Sequence, residues 1–416
     1  MGPSFTAAPP PGNQHEKSGE GRAELPSGLS GVPGQGCWEP ASRGRVAPFI
    51  VMEVMRAANA RAAAGGDVLH LEIGQPSTSA PKAVVEAAEK ALRSDRLGYT
   101  DALGLPALRE AISRWYRDRH GVSVPAERVA VTTGSSAGFL LGFLAAFEPG
   151  DRVALAAPGY PAYRNILRAL DLEPVEVPCG PETRFQPTPA LLEALDRPVR
   201  GLIVASPSNP AGSMLSPAEL ASLARWCEAN GVRLVSDEIY HGITFGSVAA
   251  STALETSQRA LVVNSFSKYF SMTGWRLGWL VVPPELQRAL ECLSQNLYIS
   301  PPSISQHAAV AAFDAVEELE GHVARYRRSR DLLLEELPKA GFGKLAPADG
   351  AFYVYADVSD LTDDSEAFCR HILERTGVAI TPGVDFDTAR GHRFLRLSFA
   401  GSEAEIAEAA RRLRTL

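Results

Sequence analysis

The sequence predicts an α/β protein with a mostly parallel sheet covered by helices on both faces, joined to a smaller second lobe. Three observations carry this expectation. Short, nearly all-apolar runs recur between helical stretches from residue 129 to residue 263, the signature of strands buried on both faces. The chain has 416 residues, 45% hydrophobic and 21% charged, long enough for two lobes rather than one. After Pro301-Pro302 the pattern changes to long helices around a few mixed segments, which reads as the smaller lobe.

Taken in order, Met1 to about Arg43 is crowded with Pro, Gly, Ser and charge (PPPGNQHEKSGEGRAELPSG), and is expected to be a disordered tail. Its Gly34-Gln35-Gly36 has no strand before it or helix after it, so it does not read as a nucleotide loop. Ordered chain is expected from near Val46. Ile50/Val54 and Val51/Met55 predict a helix over Phe49–Ala63. Val68–Ile73 alternates and ends at Gly74-Gln75-Pro76, a strand entering a turn. Pro106–His120 places Leu108, Ile112 and Trp115 on one helical face, with Pro suited to the first turn.

Strands are then expected at Val129–Val131, Val153–Ala156, Gly201–Ala205, Arg233–Ser236 and Ala260–Val263. Ser216 is placed to cap a helix over Pro217–Ala229. A long helical region is expected over Glu317–Leu337, a mixed segment at Ala351–Tyr355 and a strand at Phe394–Phe399. Ser402 and Glu405 form a capping box for a last helix carrying Ile406 and Leu413.

The totals also narrow the functions. Formal net charge is −7, without a basic block, so neither nucleic acid nor an anionic membrane is an expected partner. Five cysteines without a C-x-x-C pair read as reduced thiols, and eight histidines show no metal-ligand spacing, so no metal is expected. No apolar run is long enough to span a bilayer, and the N-terminus lacks a signal-peptide pattern. A cytoplasmic protein is expected.

The chemistry concentrates in Ser265-Phe266-Ser267-Lys268-Tyr269-Phe270-Ser271-Met272-Thr273-Gly274-Trp275-Arg276-Leu277-Gly278, at the end of an apolar strand. A lysine amine is a useful nucleophile when its pKa is lowered or when it is already joined to a carbonyl. Hydroxyls upstream and a guanidinium downstream make a phosphate cradle around that amine. Anchoring pyridoxal phosphate (PLP) demands this combination.

This stretch resembles the cofactor-lysine signature of the class I/II aminotransferases, PLP enzymes of fold type I similar to aspartate aminotransferase. The resemblance implies a Schiff base on Lys268, with Ser265 and Arg276 at the phosphate. It extends through Val235-Ser236-Asp237-Glu238-Ile239-Tyr240. There it implies Asp237 against the pyridine nitrogen and Tyr240 at the ring's phenolic oxygen, although Asp237 could also be a helix cap. In Ser208-Asn209-Pro210-Ala211-Gly212, it implies that Asn209 contacts the same oxygen beside the substrate carboxylate. Thr132-Thr133-Gly134-Ser135-Ser136 starts a helix, a ready anion site. Here Ser135 and Ser136 would take the phosphate, with Gly134 making room, and a plain N-cap is the alternative for either serine. Tyr160, in Pro158-Gly159-Tyr160-Pro161-Ala162-Tyr163, would stack on the ring, whereas Tyr163 reads as core packing.

Tyr99, in Gly98-Tyr99-Thr100, matches the tyrosine that reaches the partner's phosphate in a homodimer. Arg396, inside the apolar Phe394–Phe399, would grip the substrate α-carboxylate, and Gly74 would line the substrate site. Arg393 reads as solvent-exposed.

By the same resemblance the large domain has a sheet of the seven-stranded type over residues 81–302. The smaller domain combines 44–80 with 303–416. The implied reaction moves the amino group of an L-amino acid to a 2-oxo acid with ping-pong kinetics, Lys268 acting as general base. The same cofactor set serves β-lyases and related carbanion chemistry on this fold. A PLP-binding transcription regulator would need a DNA-binding module, and the short, non-basic tail offers none. No arginine appears around Ser294–Tyr298, where aspartate-specific members often carry one, so an uncharged or aromatic substrate side chain is expected.

Overall fold

The computed structural model describes residues 40–246 and 248–416. The expected tail therefore lies outside the described residues except for Pro40–Arg43, of which Ser42 and Arg43 enter a short 3-10 turn.

Among the described residues thirteen strands form. The first eight are β1 (Leu69–His70), β2 (Val129–Thr132), β3 (Arg152–Ala157), β4 (Glu173–Pro178), β5 (Gly201–Ala205), β6 (Arg233–Asp237), β7 (Leu261–Ser265) and β8 (Gly278–Val281). The remainder are β9 (Lys344–Leu345), β10 (Tyr353–Asp357), β11 (Val378–Ala379), β12 (Thr381–Pro382) and β13 (Phe394–Ser398). Strands β2 to β8 make one seven-stranded sheet in the order β2-β8-β7-β6-β5-β3-β4. Pairing is parallel from β7 through β6, β5 and β3 to β4, and antiparallel on both sides of β8. The five strands expected from apolar runs in this region are all present, within two residues at either end.

Two strands of this sheet were not foreseen. β4 carries Pro174 and Pro178, which argue against a central strand, and it lies at the sheet's edge, where proline is tolerated. β8 begins immediately after the Lys268 loop, and its first residue, Gly278, is the last residue of that motif. The strand expected over Val68–Ile73 is cut to β1, paired in parallel with β11. Beyond His70 the backbone changes partners. Ser398 N donates to Leu71 O at 2.7 Å, and Glu72 O accepts from the side chains of Arg396 and Thr381.

The second sheet has four strands in the order β12-β13-β10-β9, all antiparallel, with Arg396 in an interior strand. The helix Val316–Glu336 packs Leu319, Val323, Tyr326 and Leu333 inward. The predicted capping box at Ser402/Glu405 before Glu403–Leu413 is formed, and the predicted cap Ser216 makes a capping box of its own with Glu219 before Pro217–Asn230. The last helix buries Ile406 and Leu413.

An aromatic cluster supports the Lys268 loop from behind. Trp279 of β8 is fully buried, lies 4.9 Å from Phe266 and 5.8 Å from Trp115 between ring centroids, and donates from Nε1 to the Tyr116 hydroxyl at 3.2 Å. Phe266 in turn stacks at an angle on Phe270, 5.0 Å away. Trp279→Ala is therefore expected to lower stability by about 3–5 kcal/mol, measured as a shift in the urea unfolding midpoint. A change below half of that would show that the cluster relaxes around the loss.

Candidate active site

β2 and β7 both run antiparallel to β8 and so parallel to each other. The carboxyl ends of β2, β3, β5, β6 and β7 therefore share one edge of the sheet. Chain order reverses between β5 and β3, and ligands of open α/β sheets bind at such switch points. A cavity of about 260 Å³ opens there. Its walls include Lys268, Asp237, Tyr240, Asn209, Ser135, Ser136, Tyr160, Arg276, Gly74 and Arg396. Ten of the thirteen residues singled out in the sequence thus meet in one place.

Lys268 enters from the loop after β7. Its Nζ donates to Gly74 O at 2.7 Å and lies 5.8 Å from the ring centres of Tyr240 and Phe352. Burial, reinforced by Arg396 and Arg276 and opposed by Asp237, pushes its ammonium down to about 8. A lysine so placed releases its proton far more readily than one in water.

Asp237 is the last residue of β6. Its Oδ1 accepts from Ile239 N at 3.1 Å, and its Oδ2 accepts from the Tyr163 hydroxyl. Burial raises its carboxyl to about 6, while Tyr163, Ile239 N and Lys268 hold it down. At neutral pH it is an anion. Tyr163 packs in the core, as expected, and its hydroxyl is in addition a direct partner of Asp237. The sequence signal was its spacing of three from Tyr160, which straddles the start of the helix Pro161–Ala169.

Arg396 is 4% exposed. Its Nη1 donates to Asn209 Oδ1 at 3.1 Å, and its Nη2 to Thr381 Oγ1 at 3.2 Å and to Glu72 O. The rings of Tyr353 and Phe386 cover it at 4.5 and 4.7 Å. Its buried Nε has no protein partner. Tyr353, not singled out in the sequence, shares a 2.8 Å hydrogen bond with the Tyr240 hydroxyl. A Cβ on Gly74 would run into the Tyr353 hydroxyl. The first turn of the helix Ile50–Ala63 adds Val51, Met52 and Met55 to the wall. That turn is held by the Asp385 carboxylate, which accepts from Ile50 N and Val51 N at 3.2 and 3.3 Å. The helix was expected, but nothing in its periodicity says which turn meets the site.

At the opposite corner the helix Ser135–Ala146 points its N-terminus at the cavity. Gly134 has φ +83°, and a Cβ there would lie 2.5 Å from Arg276 Nη2. Only glycine leaves the gap between helix start and guanidinium open. Ser265 is not part of the wall. Its hydroxyl donates to Leu277 O at 3.3 Å and accepts from Ser267 N at 3.1 Å, and Ser267 lines the cavity instead. Tyr99 also lies outside the wall and is 83% exposed. Arg393 is exposed, as expected.

The family described as "Aminotransferase class I and II" matches residues 66–413. The chain belongs to this family. A valine–pyruvate aminotransferase of Mycobacterium tuberculosis is 57% identical over 376 residues, spanning 90% of this chain and 97% of the relative. An aspartate/prephenate aminotransferase of Thermus thermophilus is 36% identical over 353 residues, 84% of this chain and 90% of its own length. The crystal structure of an aminotransferase from Mycobacterium tuberculosis superposes with a TM-score of 0.89 at 56% identity, covering 91% of this chain and 98% of the other. The aminotransferase fold expected from the motifs, and amino-group transfer as the reaction, both stand.

In this aminotransferase, labelling of the ligand-free protein with an amine-reactive reagent should show Lys268 gaining reactivity with a midpoint near pH 8, well below an ordinary lysine at about 10.4. Peptide mass analysis across a pH series reads this directly. A midpoint matching the surface lysines would contradict the assigned environment.

Proposed function

We propose that this aminotransferase uses PLP held on Lys268, and moves the amino group of an L-amino acid with an uncharged aliphatic side chain to a 2-oxo acid. The observation that carries the reading is that Lys268 Nζ shares one cavity with Asp237, Asn209, Tyr240, Arg276 and Arg396. The residues present suit the cofactor's parts. An anionic carboxylate at Asp237 suits a protonated ring nitrogen. Asn209 turns its Oδ1 to Arg396, which leaves its NH2 to donate to a ring oxygen. The helix start at Ser135 and Ser136, the glycine gap at Gly134 and the Arg276 fork suit a phosphate. Ser267 is a better hydroxyl for that corner than Ser265.

When bound, PLP supplies an aldehyde that condenses with amines and a ring that accepts the electron pair left at Cα. The protein's part is binding, aiming and proton transfer. Arg396, with its unpartnered Nε, would take the substrate carboxylate. Lys268 Nζ, with its lowered proton affinity, would take the Cα proton and redeliver it. Asp237 keeps a negative charge at the sheet edge throughout, shielded from water by the Tyr163 hydroxyl.

Val51, Met52, Met55 and Ile73 are among the apolar residues of the wall, and methionine adapts to differently shaped aliphatic groups. Among the described lining residues the guanidinium groups are those of Arg276 and Arg396, both already given roles, so a second substrate carboxylate finds no further guanidinium among them. The Mycobacterium tuberculosis relative, named for valine and pyruvate, supports an aliphatic donor with pyruvate as acceptor.

The exposure of Tyr99 suits a residue that serves a second copy's phosphate corner, and we read the enzyme as a homodimer. The parallel pairing of β1 with β11 supports a smaller lobe built from 44–80 and 303–416 beside a PLP-binding lobe over 81–302. No helix among the described residues is long and apolar enough to cross a membrane; the four cysteines among the described residues are free, which suits the reducing, cytoplasmic setting we propose.

The test compares L-valine with L-aspartate as donors to pyruvate. L-Valine should be the better donor by kcat/KM, Lys268→Ala should lose turnover, and Arg396→Ala should raise the KM for amino acid by about tenfold or more. Preference for L-aspartate, or an unchanged KM in Arg396→Ala, would overturn the substrate reading.

A further inference from the structure

Asp237 is followed by a second buried carboxyl, Glu238, 1% exposed, for which the reaction has no use. The two acids are hydrogen-bonded in opposite ways. Asp237 receives one donor on each oxygen, the pattern of a carboxylate. Glu238 takes three donors on Oε1, from Ser236 Oγ at 3.0 Å, Thr252 Oγ1 at 3.0 Å and Ala253 N at 2.9 Å. Its buried Oε2 takes none.

What faces Oε2 is His241 Nδ1, 3.6 Å away and equally without a partner. The other ring nitrogen, Nε2, lies 3.1 Å from Ser206 O. A carbonyl oxygen can only accept, so Nε2 carries the proton and a neutral ring leaves a lone pair on Nδ1. With Glu238 ionised, two lone pairs would confront each other in a buried space. A single proton on Oε2 removes the conflict, with Oε1 as the accepting carbonyl oxygen and Oε2–H as the donor.

The alternative, an ionised Glu238 beside an imidazolium, would bury two charges. Burial and the neighbouring charges oppose both, against the three donors on Oε1, which favour the ionised acid. Asp237 and the buried Tyr116 act on Glu238, while His120, 5.2 Å from His241 between ring centres, and Arg119 act on His241. Burial foremost raises Glu238 to about 8 and lowers His241 to about 3.

We propose that Glu238 is a positioning residue that works as an un-ionised acid. Its Oε2–H is aimed at His241 Nδ1, and the chain Glu238–His241–Ser206 ties the turn bearing Asp237 and Tyr240 to the loop bearing Asn209. Two adjacent carboxyls then contribute one negative charge, to match one protonated ring nitrogen. The consequence for the cofactor rests on the reading of Asp237 given above, whereas the protonation state does not.

The protonation state is read first, on the full chain with and without PLP. An infrared difference between wild type and Glu238→Gln at neutral pH should show the carbonyl band of an un-ionised carboxylic acid. 15N NMR should show His241 as the neutral Nε2–H tautomer. Glu238→Ala should weaken PLP affinity about tenfold, and Glu238→Gln, which keeps an acceptor on one side and a donor on the other, should recover most of it. A missing acid band, an imidazolium at His241, or a Gln variant as impaired as Ala would overturn the proposal. Should Glu238→Ala fail to fold, the spectra and the Gln variant still decide. Failure here with Lys268 still carrying PLP would leave the enzyme reading intact.

Discussion

An amine buried among two guanidinium groups and one carboxylate is the constraint around which this aminotransferase is organised. Burial weakens the solvation of the Lys268 charge, Arg396 and Arg276 repel it, and Asp237 and the carbonyl of Gly74 attract it. The opposing influences leave an ammonium that gives up its proton near neutral pH, which proton-transfer chemistry at an amino acid requires. Moving any of the three charged partners would unbalance it. Asp237 and Arg396 sit in strands paired on both sides, and Arg276 follows the short turn Thr273–Trp275 just before β8.

The rest of the fold can be understood as support for that placement. β6 delivers Asp237, β7 delivers the loop bearing Lys268, and β8 turns back antiparallel so that Gly278 packs against the backbone of Ser135 and Asn264, where a Cβ would come within 2.8 Å. Arg396 comes from the separate four-stranded sheet and reaches Asn209. The proposed carboxylate site therefore depends on the two sheets meeting, and the aromatic cover from Tyr353 and Phe386 offsets part of the cost of burying a guanidinium.

The sequence made the strands of the large sheet legible because a strand buried on both faces is a short apolar run between turn signals, as in Gly201–Ala205 and Arg233–Asp237. The catalytic loop was legible for a different reason: a lysine, hydroxyls, glycines and an arginine in fixed order at a strand end have few other uses. Less legible were contacts that depend on side-chain direction. Tyr163 is core, as its sequence setting suggests, but a tyrosine three residues into a helix gives no sign of which acid its hydroxyl meets. Ser265, which the resemblance places at the phosphate, has its hydroxyl bonded to Leu277 O and Ser267 N, and Ser267 is the serine of this pair that lines the cavity. Edge strand β4 was hidden by its prolines, and the role of the first turn of Ile50–Ala63 depends on Asp385, more than three hundred residues away.

The most direct measurement of the central claim is borohydride treatment of the PLP-loaded protein followed by peptide mapping. The account requires the cofactor mass on the peptide containing Lys268 and on no other lysine. Label on a different lysine, or a protein that takes up no PLP while folded, would contradict it.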